Sequence, residues 1–366
     1  MRNLFILCCL AFLFSSCAVT RKIENEDISL KFLDEYVLPP NTELDNTVVG
    51  GLSGIDYKNG KYFLICDDAA NPRIYRASIE IKRDKIEKIQ VKQLITVKKN
   101  KLHSDEFLDL EALSFDEDKE EFFVVSEGKI DDGKDPGIFK LSNLGHIEES
   151  YSIPVYFKAG NEQQPRNNGV FEGISESYDE TGYWVATELP LEKDASKPKI
   201  FPSRSHIRIT KFDKKSGEAV SQFSYQLDGI AKLPINYFAV NGVTEILEYA
   251  ENKFLVLERS YSAGYGSRGN TVKIFQVDSN QASNTLGIDR LKGEEYEVAE
   301  KKLIYNFKSV RDQLSDRIID NIEGMCLGPK LENGKNSLLL VSDNNFNSFA
   351  KQINQFILME IDFKNL

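Results

Sequence analysis

Apolar and polar residues alternate with a period of two through most of this chain, in short runs broken by Gly, Asn, Asp and Lys. The stretch from Leu110 shows it best: LEALSFD, a polar Glu117-Asp118-Lys119, then EEFFVVSEG, GIFKLSNLG and EESYSIPVYF. Such alternation, punctuated by turn formers, predicts antiparallel strands, about four in each unit. Helix-period stretches are few.

The alternation is itself repeated. A first phrase reads LSGIDY (52–57), LEALSF (110–115), FEGISE (171–176), VNGVTE (240–245) and IEGMCL (322–327). A second, apolar and ending in acid, follows each: YFLICDD (62–68), FFVVSE (122–127), YWVATE (183–188), FLVLER (254–259) and LLLVSD (338–343). Counted from Ser53, the copies fall at Glu111, Glu172, Asn241 and Glu323, in steps of 58, 61, 69 and 82 residues. Strand-only repeats of this size predict a β-propeller with one sheet per repeat. The longer later steps follow from a Gly-rich loop (262–270) and a polar insertion near 279–297. A polar excursion at 190–205 interrupts the third repeat. The fifth repeat is one strand short, and ISLKFLDEYVL (28–38) at the other end can complete it, closing the ring and removing an edge. The expected fold is therefore all-β: a propeller of five four-stranded blades whose last blade takes the N-terminal strand. Six blades is the alternative.

The first residues predict export rather than fold. Arg2, an apolar run from Leu4 to Phe14 and Ser15-Ser16-Cys17 follow one another. That run is too short to span a bilayer, and small residues before a Cys resemble a bacterial lipobox. The expectation is a signal peptide over 1–16, a lipidated Cys17, a polar tether to residue 27 and one domain over 28–366. An ordinary signal peptide cut nearby is the alternative. The expected location is the cell envelope, with the lipid in the outer membrane. Of five Cys, only Cys66 and Cys326 would then remain. They fall in apolar strands of neighbouring blades, so a disulfide is possible chemistry, but the core setting favours two buried thiols.

The chain carries 46 Lys and Arg against 57 Asp and Glu, a net charge of −11. That balance argues against a nucleic-acid partner, which would require basic stripes. It suits cations. In a propeller the first strand lines the channel, so Glu111, Glu172 and Glu323 should sit near one mouth. The acids closing the second phrase are Asp67, Asp68, Glu127, Glu188, Glu258 and Asp343. Carboxylates that converge on an axis repel unless something compensates them. Hard oxygen donors with little His or thiol would favour Ca²⁺, or Mg²⁺, over zinc. The competing reading is that each acid pairs with an Arg or caps a turn. Arg73, Arg166, Arg204 and Arg259 lie beside these acids, and their planar forks suit phosphate or carboxylate groups. Other templates are absent: no G-x-S-x-G elbow, no H-E-x-x-H, and three scattered His residues.

Taken in order, GGLSGIDY…YFLICDDAANPRIY, DLEALSFD…VVSEG, NNGVFEGISES…YWVATELPL, NGVTEILEY…FLVLERSY and NIEGMCLG…LLLVSDNNF resemble the bacterial phytase-like family, described as an esterase-like activity of phytase, over about 48–363. The resemblance implies a propeller related to the alkaline phytases, six-bladed calcium-dependent phosphomonoesterases. Two functions follow as expectations. One is a metal-dependent phosphoesterase or esterase, in which carboxylates hold Ca²⁺ and Arg73, Arg204 and Arg259 clamp an anionic ester. The other is a non-catalytic propeller lipoprotein with structural calcium that binds an envelope ligand or protein. Either way a monomer is expected.

Overall fold

The computed structural model describes residues 27–347 and 351–364. The signal sequence, Cys17 and the tether lie outside the described residues. Five antiparallel four-stranded sheets account for the repeats. Blade 1 holds Leu52–Lys58, Lys61–Cys66, Arg73–Lys82 and Lys85–Thr96; blade 2 holds Leu110–Asp116, Glu121–Ser126, Gly137–Ser142 and Ile147–Ser150. Blade 3 holds Phe171–Glu176, Gly182–Thr187, His206–Asp213 and Ala219–Gln226. Blade 4 holds Ala239–Ala250, Lys253–Ser262, Asn270–Asp278 and Glu300–Asn306. Blade 5 holds Asn321–Lys330, Asn336–Asp343 and Asn354–Phe363.

The strand missing from blade 5 is supplied by Ile28–Leu38. It pairs antiparallel with Asn354–Phe363, from Ile28 opposite Phe363 to Leu38 opposite Asn354. The ring is closed by pairing the first and last described strands, and among the described residues it has five blades. One expected strand is shorter than its alternation suggested. In EESYSIPVYF only Ile147–Ser150 pairs, and Val155–Phe157 forms a 3-10 turn after Pro154. Proline has no N–H for a ladder, so the strand stops before it.

The strand faces explain the packing. Apolar positions of adjacent blades meet in five clusters, one at each blade–blade junction. Between blades 1 and 2, for example, Phe63, Ile65 and Ile74 pack on Leu113, Phe115, Val124 and Phe139. Between blades 3 and 4, Trp184 meets Phe254 edge-on at 5.3 Å. Cys66 and Cys326 share the cluster between blades 5 and 1 and remain free thiols.

Around the axis the first strands come close enough to demand small residues. A Cβ at Gly324 would lie 2.8 Å from the Gly54 Cα, and one at Gly173 would lie 2.9 Å from the Glu245 Cα. This closes the channel midway and leaves two hollows. The hollow at the end where the first strands begin measures about 750 Å³. The one at the opposite end, around Asp56, Lys58, Glu176 and Glu248, measures about 330 Å³.

Candidate functional site

The larger hollow is built by one local device used in every blade. Each first strand contains a β-bulge near its start. The ladder skips Ser53 between Leu52 and Gly54, Glu111 between Leu110 and Ala112, and Glu172 between Phe171 and Gly173. It also skips Glu323 between Ile322 and Gly324. A bulge leaves its extra residue unpaired and re-aims the side chain. Here Glu111, Glu172 and Glu323 all line the hollow. A second tier comes from the residues that follow the second strands of blades 1, 2 and 3, Asp67, Glu127 and Glu188, and from Asp343 at the end of blade 5's second strand, all lining the same space.

Blade 4 departs from the sequence alignment. Its bulge falls at Thr244, between Val243 and Glu245. Thr244, not Asn241, therefore occupies the station of the three glutamates. Val243 faces Glu258, so Arg259, one residue later, takes the place of the tier of acids. Glu258 points away from the bowl, into the junction between blades 3 and 4. It accepts bonds from Tyr225 Oη (2.6 Å), Asn241 Nδ2 (2.7 Å), the Asp228 N–H (3.0 Å) and Lys301 Nζ (2.7 Å). The structure does not bring Glu258 or Asn241 to the bowl.

Two sets of carboxylate oxygens lie within 4.8 Å of one another: Asp67, Asp109 and Glu111, and Glu127, Glu172 and Glu188. The fixed positive charge beside them is Arg259. Its Nη2 is 3.2 Å from Glu323 and 3.6 Å from Glu188, while its Nε is buried with no partner. Lys197 and Lys351 also line the bowl. Glu111 is 7% exposed, and no hydrogen bond or ion pair reaches its carboxylate among the described residues. The Asn270 Oδ1 on the wall is buried and unsatisfied too.

These surroundings shift the acids upward. Burial, then the neighbouring Asp109 and Asp343, push Asp67 to about 9. Burial, then Glu188, push Glu127 to about 8. Asp343 rises to about 6 through burial, although it accepts the Asn345 N–H at 2.6 Å. Glu111, Glu172 and Glu323 lie well above the usual carboxylate range, from burial and mutual repulsion, with Arg259 opposing the rise at Glu172 and Glu323. Without a cation the cluster therefore holds protons near neutral pH.

The other expected residues are placed elsewhere. Arg73 donates to Asp68 Oδ2 (2.7 Å), Tyr75 Oη (2.6 Å) and the Asn71 carbonyl (2.7 Å). Asp68 and Arg73 thus satisfy each other outside the bowl. Arg204 is exposed on the excursion near His206, and Arg166 pairs with Glu192 at 3.1 Å. Neither lines the bowl.

Sequence reasoning missed several contributors. Asp109 sits one residue before a first strand, a place the repeated phrase does not cover. Asp320 has the same offset in blade 5 and accepts the Ile353 and Asn321 N–H groups. Arg208 had no motif at all. It is 1% exposed and grips Asp194 through Nε (2.7 Å) and Nη2 (3.0 Å), and donates to the Ile288 and Asp289 carbonyls (2.8 and 3.1 Å). That clip binds both inserted loops to blade 3 and sets the excursion that carries Lys197 into the bowl.

Comparison with known proteins finds one family. A family model described as phytase-like, esterase-like activity of phytase, matches residues 47–346. No curated protein matches the sequence. Among solved structures, an endo-1,4-β-xylanase from Bacteroides thetaiotaomicron is similar at 8% identity and a TM-score of 0.44, over 84% of this chain and 90% of that one. A member of the DUF4221 family from Bacteroides vulgatus is similar at 11% identity and 0.41, over 92% and 98%. The allergen Mala s 1 of Malassezia sympodialis is similar at 10% identity and 0.39, over 85% and 78%.

Proposed function

The chain belongs to the phytase-like family, and from that premise we propose that it is a metal-dependent ester hydrolase, acting on phosphoesters or carboxylic esters in the acidic bowl. The observation that carries the reading is the pair of carboxylate triplets, each gathered within 4.8 Å, with the buried Glu111 left unpartnered. Such a donor set fits a hard divalent cation, Ca²⁺ or Mg²⁺, rather than zinc. Asp67, Asp109 and Glu111 would hold one ion, and Glu127, Glu172 and Glu188 another. A bound cation would supply Lewis-acid polarisation of the ester and lower the pKa of water.

The chain's own residues have separate tasks. Without an ion, Asp67 and Asp109 repel each other and burial favours their protonated forms, so an incoming cation would displace that proton as it binds. Among the described residues Arg259 is the one guanidinium lining the bowl, and its planar fork suits an anionic group that displaces Glu188 or Glu323. Arg208 keeps the excursion, and Lys197 with it, at the rim. The narrow axis closes the floor, so substrate enters and leaves at one mouth.

A second reading is a ligand-binding propeller without catalysis. What favours it is that Arg259 is already shared between Glu188 and Glu323. The deciding experiment is hydrolysis of a panel of phosphate and carboxylate esters with and without chelator, alongside melting temperature with added Ca²⁺ or Mg²⁺. An ion bound only by the native state at a hundredfold excess over its dissociation constant adds about 2.7 kcal/mol. Glu127→Gln with Glu172→Gln should remove the second ion's share of the rise and lower the activity, and adding Glu111→Gln should remove the rest of the rise. Wild type with neither would leave the binding reading in its place.

We also propose export and lipidation at Cys17. Ile28 enters blade 5 at the end away from the bowl, because it pairs with Phe363 at the far end of that strand. A tether leading there would point the bowl away from the membrane. Cys17→Ser should move the protein into the soluble fraction; retention of the label from a fatty acid would refute lipidation.

A further inference from the structure

Blade 4 differs from the rest in height as well as charge. Its first two strands run 12 and 10 residues, against six and six in blade 3. The surplus stands above the bulge, where the ladder continues from Gly242 opposite Arg259 up to Ala239 opposite Ser262. In blades 2 and 3 the ladder stops at the residue before the bulge. Blade 4 thus rises beside the bowl as a parapet.

The segment capping it is firmly held. The Ile235 N–H donates to the Ala263 carbonyl and the Ala263 N–H to the Phe238 carbonyl, both at 2.9 Å. Tyr265 Oη donates to the Leu233 carbonyl at 2.8 Å. Gly264, at φ +97°, lets Ile235 approach so closely that a Cβ there would lie 2.4 Å from the Ile235 Cβ. Even so, the crest turns apolar side chains to water: Leu233 is 67% exposed, Ile235 61%, Tyr237 99% and Phe238 58%. Tyr237 also sits at φ +58°, a strained backbone for a bulky residue. An ordered apolar crest of this kind marks a surface that something covers.

Two observations say what covers it. First, the crest and the bowl are continuous, since Phe238, Val240 and Tyr261 line the bowl wall. Second, eight carboxylates against Lys197, Arg259 and Lys351 line that bowl, so a negatively charged bilayer surface would be repelled from this mouth. A small molecule that puts a polar group among the acids and lays an apolar arm up the wall satisfies both.

We infer that the substrate is an ester bearing an apolar arm, acyl or aromatic, which lies along Val240, Phe238 and the Leu233–Tyr237 crest. This rests on the ester-hydrolase reading above. The arm displaces water from the crest and so selects among esters, while the bowl does the chemistry.

The test compares nitrophenyl acetate with nitrophenyl octanoate for wild type and for the Leu233→Ser, Tyr237→Ser double variant, whose altered side chains are exposed and outside the bowl. Wild type should prefer the octanoate by about tenfold or more in kcat/KM, and the variant should lose that preference while keeping its acetate rate. Equal loss on both esters, or on neither, overturns the inference. If wild type cleaves neither ester, the hydrolase reading fails separately, and titration calorimetry with octyl glucoside below its micellar concentration decides the arm. Binding that weakens about tenfold in the double variant supports it, and no binding overturns it. A sedimentation change from dimer to monomer in the variant would assign the crest to a second copy instead and overturn it too.

Discussion

Blades 1, 2, 3 and 5 place an acid in the second tier of the bowl, whereas blade 4 places Arg259 there. In three of those four the bulge residue is also a Glu; blade 4 has Thr244. One level deeper the pattern reverses. Where the others have Gly54, Ala112, Gly173 and Gly324, blade 4 has Glu245, buried and accepting the Ile174 and Ile246 N–H groups at 3.0 and 2.9 Å. A ring of five identical acid stations would repel unless protons or a cation offset its charge. The exceptional blade supplies one permanent positive charge and sets the Glu245 carboxyl against Gly173 at the constriction. Repetition makes the site, and the break in repetition makes it compatible with a folded, ion-free protein.

Restoring the symmetry should therefore be costly. Arg259→Glu would add a carboxylate where Glu188 and Glu323 now find their partner. Breaking a buried pair in this way costs about 3–5 kcal/mol, read as urea stability at pH 7 in chelator. Added Ca²⁺ should recover much of the loss, and a variant as stable as wild type in chelator would show that the acids need no compensation. Glu245→Ala should cost about 1–3 kcal/mol by leaving the Ile174 and Ile246 N–H groups without their buried acceptor. Glu245→Gln keeps an acceptor of the same size and should cost less. Equal costs for the two would mean that the side chain acts only by filling space.

The pH dependence tests the same contrast. Asp67, Glu127 and Asp343 have folded pKa values raised to about 9, 8 and 6. A raised acid contributes stability that is complete below its unfolded value and is lost as pH rises through the folded one. In chelator the protein should thus lose stability as pH rises from about 4 to 9. With Ca²⁺ present the loss should flatten. A chelator profile that climbs over this range would contradict the shifts. The smallest expected effect is at Asn241. Asn241→Ser removes one bond to Glu258, about 1 kcal/mol, and should leave the ion-dependent melting shift unchanged. A lost shift would return Asn241 to the bowl.

The repeat, the all-β class, the five blades and the closing strand were all legible in the chain, because each rests on local alternation and on a count of strands. So was the convergence of Glu111, Glu172 and Glu323 with Asp67, Glu127, Glu188 and Asp343, since equivalent positions in a ring must meet. Blade 4 was misread for a physical reason. The phrase VNGVTE matches by composition, but a bulge is fixed by the ladder to the next strand, and that register moved the station three residues to Thr244. A similar limit applies to Glu258 and Arg259, adjacent in sequence and on opposite faces of one strand, so a single step of register decides which faces the axis. Asp109, Asp320 and Asp194 lie in loops outside the repeated phrases, and Arg208, in blade 3's third strand, finds its partners only where two inserted loops meet. The sequence by itself determined how many blades there are and which strands are apolar on which face. Only the tertiary structure decided which charges share the bowl, since that depends on bulge register and on loops brought together from blades far apart in the chain.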